Sequence, residues 1–124
     1  MAWDIDKAVK HLDSHAATKS TGNCATFVRR AILAGGIHVM PTHYAKDYGL
    51  ALGAAGFVQV PAKDTYEAGD VAVIQPATGH PTGHMAMYDG HQWVSDFKQL
   101  HGLYPGKTYR KEMPAFEIYR YPAQ

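Results

Sequence analysis

The apolar residues change period near Gly56, and that change limits the fold more than any other feature of the chain. Upstream, Ile5, Ala8, Val9 and Leu12 recur at i, i+3, i+4 and i+7, the stripe of a surface helix from Asp4 to about His15. A second stripe, made of Phe27, Val28, Ala31, Ile32 and Leu33, opens near Cys24 behind a Ser20 or Thr21 cap and stops at Gly35-Gly36. Thr42 is expected to cap a third helix carrying Tyr44, Tyr48, Ala51 and Leu52, ended by the glycines between 53 and 56. Downstream the runs Phe57 to Val60, Asp70 to Ile74, His84 to Tyr88, His91 to Ser95 and Phe116 to Tyr121 are short and rich in Val, Met and aromatics, as strands are. Asp89-Gly90 between two of them marks a hairpin, because glycine reaches positive φ without a Cβ clash. Helices first and antiparallel strands second predict an α+β fold, and 124 residues suit one domain spanning 1–124. The segments 76–81 and 100–108 read as surface loops.

Charge and hydropathy exclude several partners. Twelve Lys and Arg against eleven Asp and Glu leave a formal charge of +1, scattered except at Arg29-Arg30, so neither nucleic acid nor a membrane surface is expected. No apolar run approaches the ~20 residues that cross a bilayer. The opening MAWDIDKAVKHLD lacks the basic start and apolar block of a Sec signal, so synthesis in the cytoplasm without that route is expected.

A single cysteine cannot form an internal disulfide, so Cys24 is a buried filler, a reactive group or a metal ligand. Free cysteines are most often small buried hydrophobes. Its place in the first turn of a helix argues otherwise, because unsatisfied N–H groups and about half a positive charge favour the thiolate there. The thiol pKa is therefore expected to fall, and amides of the same turn can bind an oxyanion formed on the attacked carbonyl. A histidine at the head of an alternating strand, directly after a glycine, supplies the matching base in Gly83-His84-Met85-Ala86-Met87-Tyr88-Asp89-Gly90.

These fragments carry a resemblance. STGNCATFVRRAI, then EAGDVAVIQ, then GHMAMYDG, in that order over residues 20 to 96, resemble the CHAP and NlpC-type cell-wall amidases, small papain-like cysteine peptidases. Tyr44-Ala-Lys-Asp-Tyr-Gly49 resembles the helix that follows the cysteine helix in CHAP domains, while Ala68 stands where that family usually has proline. The resemblance implies a papain-like fold with N-terminal helices packed on a small antiparallel sheet. It implies Cys24 as nucleophile, His84 as general base and acid, and no cofactor. It also implies a substrate in the peptide part of peptidoglycan, cut through a thioester. The short chain looks most like the amidase effectors that type VI secretion systems deliver to the periplasm of rival cells, each neutralised by a cognate immunity protein. A phage endolysin of the same fold, and a non-catalytic or protein-directed papain-like domain, are the alternatives.

The third member of such a site holds the far ring nitrogen of the histidine, and Asp96 and Ser95 are the candidates. A strict two-residue hairpin puts Ser95 opposite His84, whereas a bulge or longer loop brings in Asp96. Asp96 is favoured because a carboxylate stabilises an imidazolium better than a hydroxyl does. Asn23 and Ser20 are candidates for capping the cysteine helix or lining the oxyanion pocket, Tyr44 for reaching the groove, and Arg29-Arg30 for meeting stem-peptide carboxylates at its rim. Eight histidines raise the alternative of a metal at His80, His84 and His91. GHPTGH contains Pro81 and two glycines, so it is not a helix that puts both rings on one face, and no metal is expected.

Overall fold

The computed structural model describes residues 3–18, 22–61 and 65–122. The described elements are α1 (Ile5–His15), α2 (Cys24–Ala34), α3 (Tyr48–Ala54, entered through a 3-10 turn at Ala45–Asp47), β1 (Val58–Val60), β2 (Val71–Ile74), β3 (His84–Tyr88), β4 (Trp93–Val94), β5 (Lys98–Gln99), α4 (Lys107–Glu112) and β6 (Phe116–Arg120). The fold is α+β, with the period change falling between α3 and β1.

Local chemistry sets the helix ends. The Asp4 carboxylate accepts the Lys7 N–H at 3.0 Å and caps α1, whose buried face is Ala8 and Leu12. Packed along α1 and against β3, α2 buries Val28, Ala31 and Ile32 and ends at Gly35, whose N–H reaches the Ala31 carbonyl. Thr42 does not cap α3. Its hydroxyl donates to the Tyr44 carbonyl at 2.8 Å, and the chain enters α3 through the 3-10 turn instead.

The strands form one antiparallel sheet in the order β1-β6-β2-β3-β4-β5. Alternation sorts its side chains onto two covered faces. Val71, Val73, Met85, Met87 and Val94 join the helices in one cluster with Leu12, Val28, Ile32, Tyr48 and Leu52. Ala72, Ile74, Ala86, Trp93 and Ile118 face the other way, under Tyr66, Leu103, Tyr104 and Tyr109. Each fully buried aliphatic side chain contributes about 1.5–3 kcal/mol to holding these layers together. A fully buried Asp70 at the start of β2 takes a bidentate pair from Arg120 at the end of β6, at 2.7 and 2.8 Å, which fixes the register of the central pair.

The second half departs from expectation after Tyr88. Met87 pairs with Val94 and Tyr88 with Trp93, so the hairpin loop is 89–92. The Asp89 carboxylate holds it, accepting the N–H groups of His91 and Gln92 at 2.8 Å. β4 is then two residues long, and the chain reverses at 95–97 into β5, which brings Gln99 opposite Trp93. The expected loop at 100–108 ends two residues early, at Lys107, where α4 begins and places Tyr109 over the second face.

Candidate active site

Cys24 is the first residue of α2 and His84 the first of β3, and both line one cleft of about 390 Å³. The helix comes from one side of the sheet and Tyr109 from the other, so the cleft forms where the two layers meet at the end of β3. Its rim is Gly79-His80-Pro81-Thr82-Gly83, and its far wall is Phe97, Pro105, Gly106 and Tyr109. The rim is anchored twice: Lys46 N–H bonds the Thr82 carbonyl at 2.9 Å, and Thr78 N–H bonds Glu112 on α4 at 2.9 Å. Glycine is required before the histidine. Gly83 has φ +74, and a Cβ there runs into the Ile74 carbonyl and comes within 2.9 Å of the Lys46 side chain.

The histidine is buried, and its tautomer follows from its neighbours. His84 Nε2 lies 2.7 Å from Gln99 Oε1. The Gln99 amide nitrogen donates to the Gly102 and Leu103 carbonyls at 3.0 and 2.9 Å, so both of its hydrogens are used and the oxygen must face the ring. Nε2 therefore carries the hydrogen, and Nδ1 is left as the basic nitrogen. The sequence favoured Asp96 for the far nitrogen; the structure puts the Gln99 carboxamide there. The reason is the reversal at 95–97, where Ser95 N–H bonds the Phe97 carbonyl and Ala17 bridges to Phe97, turning Asp96 off the strand path.

Asp96 is fully buried beside the site. Its Oδ2 accepts the Asn23 backbone N–H at 3.2 Å and its Oδ1 accepts the Ser95 hydroxyl at 3.2 Å. It ties the start of α2 to the β4–β5 turn, and its charge acts on both Cys24 and His84. The Asn23 amide thus faces a carboxylate, the wrong sign of environment for an oxyanion, and the Asn23 side chain makes no capping bond to the helix. Ser20 lies outside the described residues.

Burial decides the resting protonation state. It pushes the Cys24 thiol up, more than the Met85 N–H, which bonds the sulfur, pulls it down; the Asp96 charge pushes it further up, and the amides of Ala25 and Cys24 pull back. The expected fall in thiol pKa is therefore reversed, because loss of water outweighs the helix terminus. Burial lowers the His84 pKa against the Gln99 bond and the Asp96 charge, which raise it, while His80 lowers it further. At neutral pH the pair rests as thiol and imidazole, not as an ion pair.

Tyr109 was not singled out by the sequence. Its ring centroid lies 6.1 Å from that of His84 and 5.0 Å from that of His80, and burial followed by the nearby Cys24 pushes its hydroxyl up to about 12. Tyr44 is half exposed and does not line the cleft, whereas Tyr48 is core. Arg30 borders a separate hollow with His11, His15 and Phe27. His91 sits in the 89–92 loop at the other end of β3 from His84. Among the described residues no group of three His, Cys, Asp or Glu side chains can hold a metal ion.

No protein-family model matches the chain, and no curated protein sequence matches it. Solved structures do, among them two from Ralstonia pickettii. The type VI native effector–immunity complex Tae3–Tai3 matches at 51% identity and a TM-score of 0.93, covering 97% of this chain and 100% of that one. The selenomethionine form of the complex matches at 52% identity and a TM-score of 0.87, covering 92% and 99%. With half of its residues identical over nearly its full length, the chain belongs to the family of the type VI effector Tae3.

Proposed function

We propose that this protein is a cysteine amidase with a papain-like active site, which hydrolyses an amide bond in the peptide part of peptidoglycan as an antibacterial type VI effector. The observation that carries the reading is one cleft lined by both Cys24 and a histidine whose tautomer Gln99 fixes. Likeness to a protein solved as an effector–immunity complex favours an effector over a phage lysin, and makes a cognate immunity protein the expected partner. The site of action is the periplasm of a target cell. No described helix is long and apolar enough to cross a membrane.

The chemistry follows from the resting state. A peptide carbonyl enters the cleft, and Nδ1 of His84 takes the thiol proton as Cys24 Sγ attacks the carbonyl carbon. General-base attack by a neutral pair avoids isolating two charges in a buried site before substrate arrives. The Gln99 carboxamide keeps the ring oriented, and the Asp96 charge stabilises the imidazolium formed. His84 returns the proton to the leaving amine, giving a thioester. Water, deprotonated by the same nitrogen, releases the acid and restores the thiol.

The test is incubation of purified sacculi with the protein and with Cys24→Ala. The wild type is expected to release new muropeptides and the variant, with its fold unchanged by circular dichroism, none. Unchanged muropeptide profiles with the wild type overturn the wall assignment, and equal release by Cys24→Ala overturns the role of the thiol.

A further inference from the structure

Beyond Phe97 and Pro105, which it shares with the cleft, lies a second hollow of about 320 Å³. Its walls are Thr18, Lys98, Leu100, His101 and Arg110 in addition to those two shared residues. No carboxylate among the described residues lines it. Lys98 and Arg110 come from β5 and α4, and neither forms an ion pair with a carboxylate among the described residues. Lys98 also lies within electrostatic reach of Asp13, but that carboxyl belongs to α1 and stands outside the hollow. Leu100 beside them is 81% exposed.

We infer that this hollow is a subsite for a free carboxylate of the stem peptide, bound by Lys98 and Arg110 while the scissile amide lies at Cys24. The inference rests on the amidase reading above. Two permanent cations facing one hollow repel each other, and an anion between them converts that repulsion into two charge-assisted hydrogen bonds. Continuity through Phe97 and Pro105 makes the anion part of the same peptide that occupies the cleft, and exposed Leu100 offers a contact for a short aliphatic side chain next to it. Arg29-Arg30, the cations that the sequence pointed to, have no such access. Arg30 borders the hollow with His11 and His15, and neither residue lines the cleft.

Steady-state cleavage of purified muropeptides tests this, with the stem carboxylates free in one substrate and amidated in the other. The wild type is expected to favour the free-carboxylate substrate in kcat/KM by about tenfold or more, and less so at 0.5 M salt as screening grows. In the Lys98→Gln, Arg110→Gln double variant, whose altered side chains are exposed, that preference is expected to fall within about twofold of unity at an unchanged thermal midpoint. A wild type that cleaves both substrates equally, or a double variant that keeps the preference, overturns the subsite and leaves the amidase reading standing. A wild type that cleaves neither substrate overturns both.

Discussion

Two pKa directions, both set by burial, decide how the cysteine reacts. Cys24 is raised and His84 lowered from its ordinary 6.5, so alkylation of the resting protein by iodoacetamide is expected to climb above neutral pH, with no thiolate plateau below pH 7. In the proposed mechanism His84 must be neutral to act as base, so the acid limb of kcat/KM is expected to have its midpoint below 6.5. A plateau of alkylation at pH 5 sinks the neutral pair. Gln99→Glu places a charge on Nε2 and moves the acid limb up, whereas Gln99→Ala frees the ring and lowers kcat by about 10²-fold. A pH profile that does not move in Gln99→Glu removes Gln99 from the site. Cys24 and His84 were legible in the sequence because each is announced by its own neighbours, the one by a helix start and the other by Gly83. Gln99 was not. Its position depends on the 95–97 reversal, which is held by contacts from Ala17 that no local propensity encodes. The sign of the thiol shift was hidden for the same reason, since burial sums over layers distant in the chain.

Between elements, the contact that responds to pH joins α1 to the β3–β4 loop. Asp13 faces Asp89, and burial, then the hydrogen bond that a proton between them makes, then the Asp89 charge raise Asp13 to about 6, against Lys98 and His91. The folded value lies above the ordinary 3.8, so the native protein keeps a proton that the unfolded chain releases between these two values. That stabilisation is complete below 3.8 and is lost as pH rises through about 6. Asp13→Asn supplies a permanent donor toward Asp89. The variant is expected to match the wild type near pH 4 and to gain about 1 kcal/mol at pH 7.5, a modest figure because Asp13 is only partly buried and solvent screens the pair. Equal thermal midpoints at both pH values mean the two carboxyls do not share a proton. The helices and most strands were legible, since their periods are local. β5 and α4 are too short to show a period, so no element was expected at Gln99 or Tyr109.

For the molecule as a whole, the cleft exists because one sheet is covered on both faces, and this binds the integrity of the site to that of the fold. Trp3 belongs to the helix side, where its ring centroid lies 5.9 Å from that of Phe57, and Trp93 to the opposite side, 5.0 Å from that of Tyr66. Both layers rest on the same strands, since Val71 and Val73 point one way and Ala72 and Ile74 the other. Neither layer can open without stripping a face from the sheet that the other needs. Tyr109→Ala removes a buried ring from the smaller layer, where the remaining cover is thin, and is expected to cost about 3–5 kcal/mol. Tyr109→Phe, which keeps the ring, should stay within about 0.5 kcal/mol of the wild type. With Trp3→Phe and Trp93→Phe used separately, so that each protein reports from one layer, Tyr109→Ala is expected to lower both melting midpoints together by about 10 °C or more. A midpoint that falls only in the protein reporting through Trp93 separates the layers and makes the α4 side a local flap; coincident melting makes the cleft as stable as the fold.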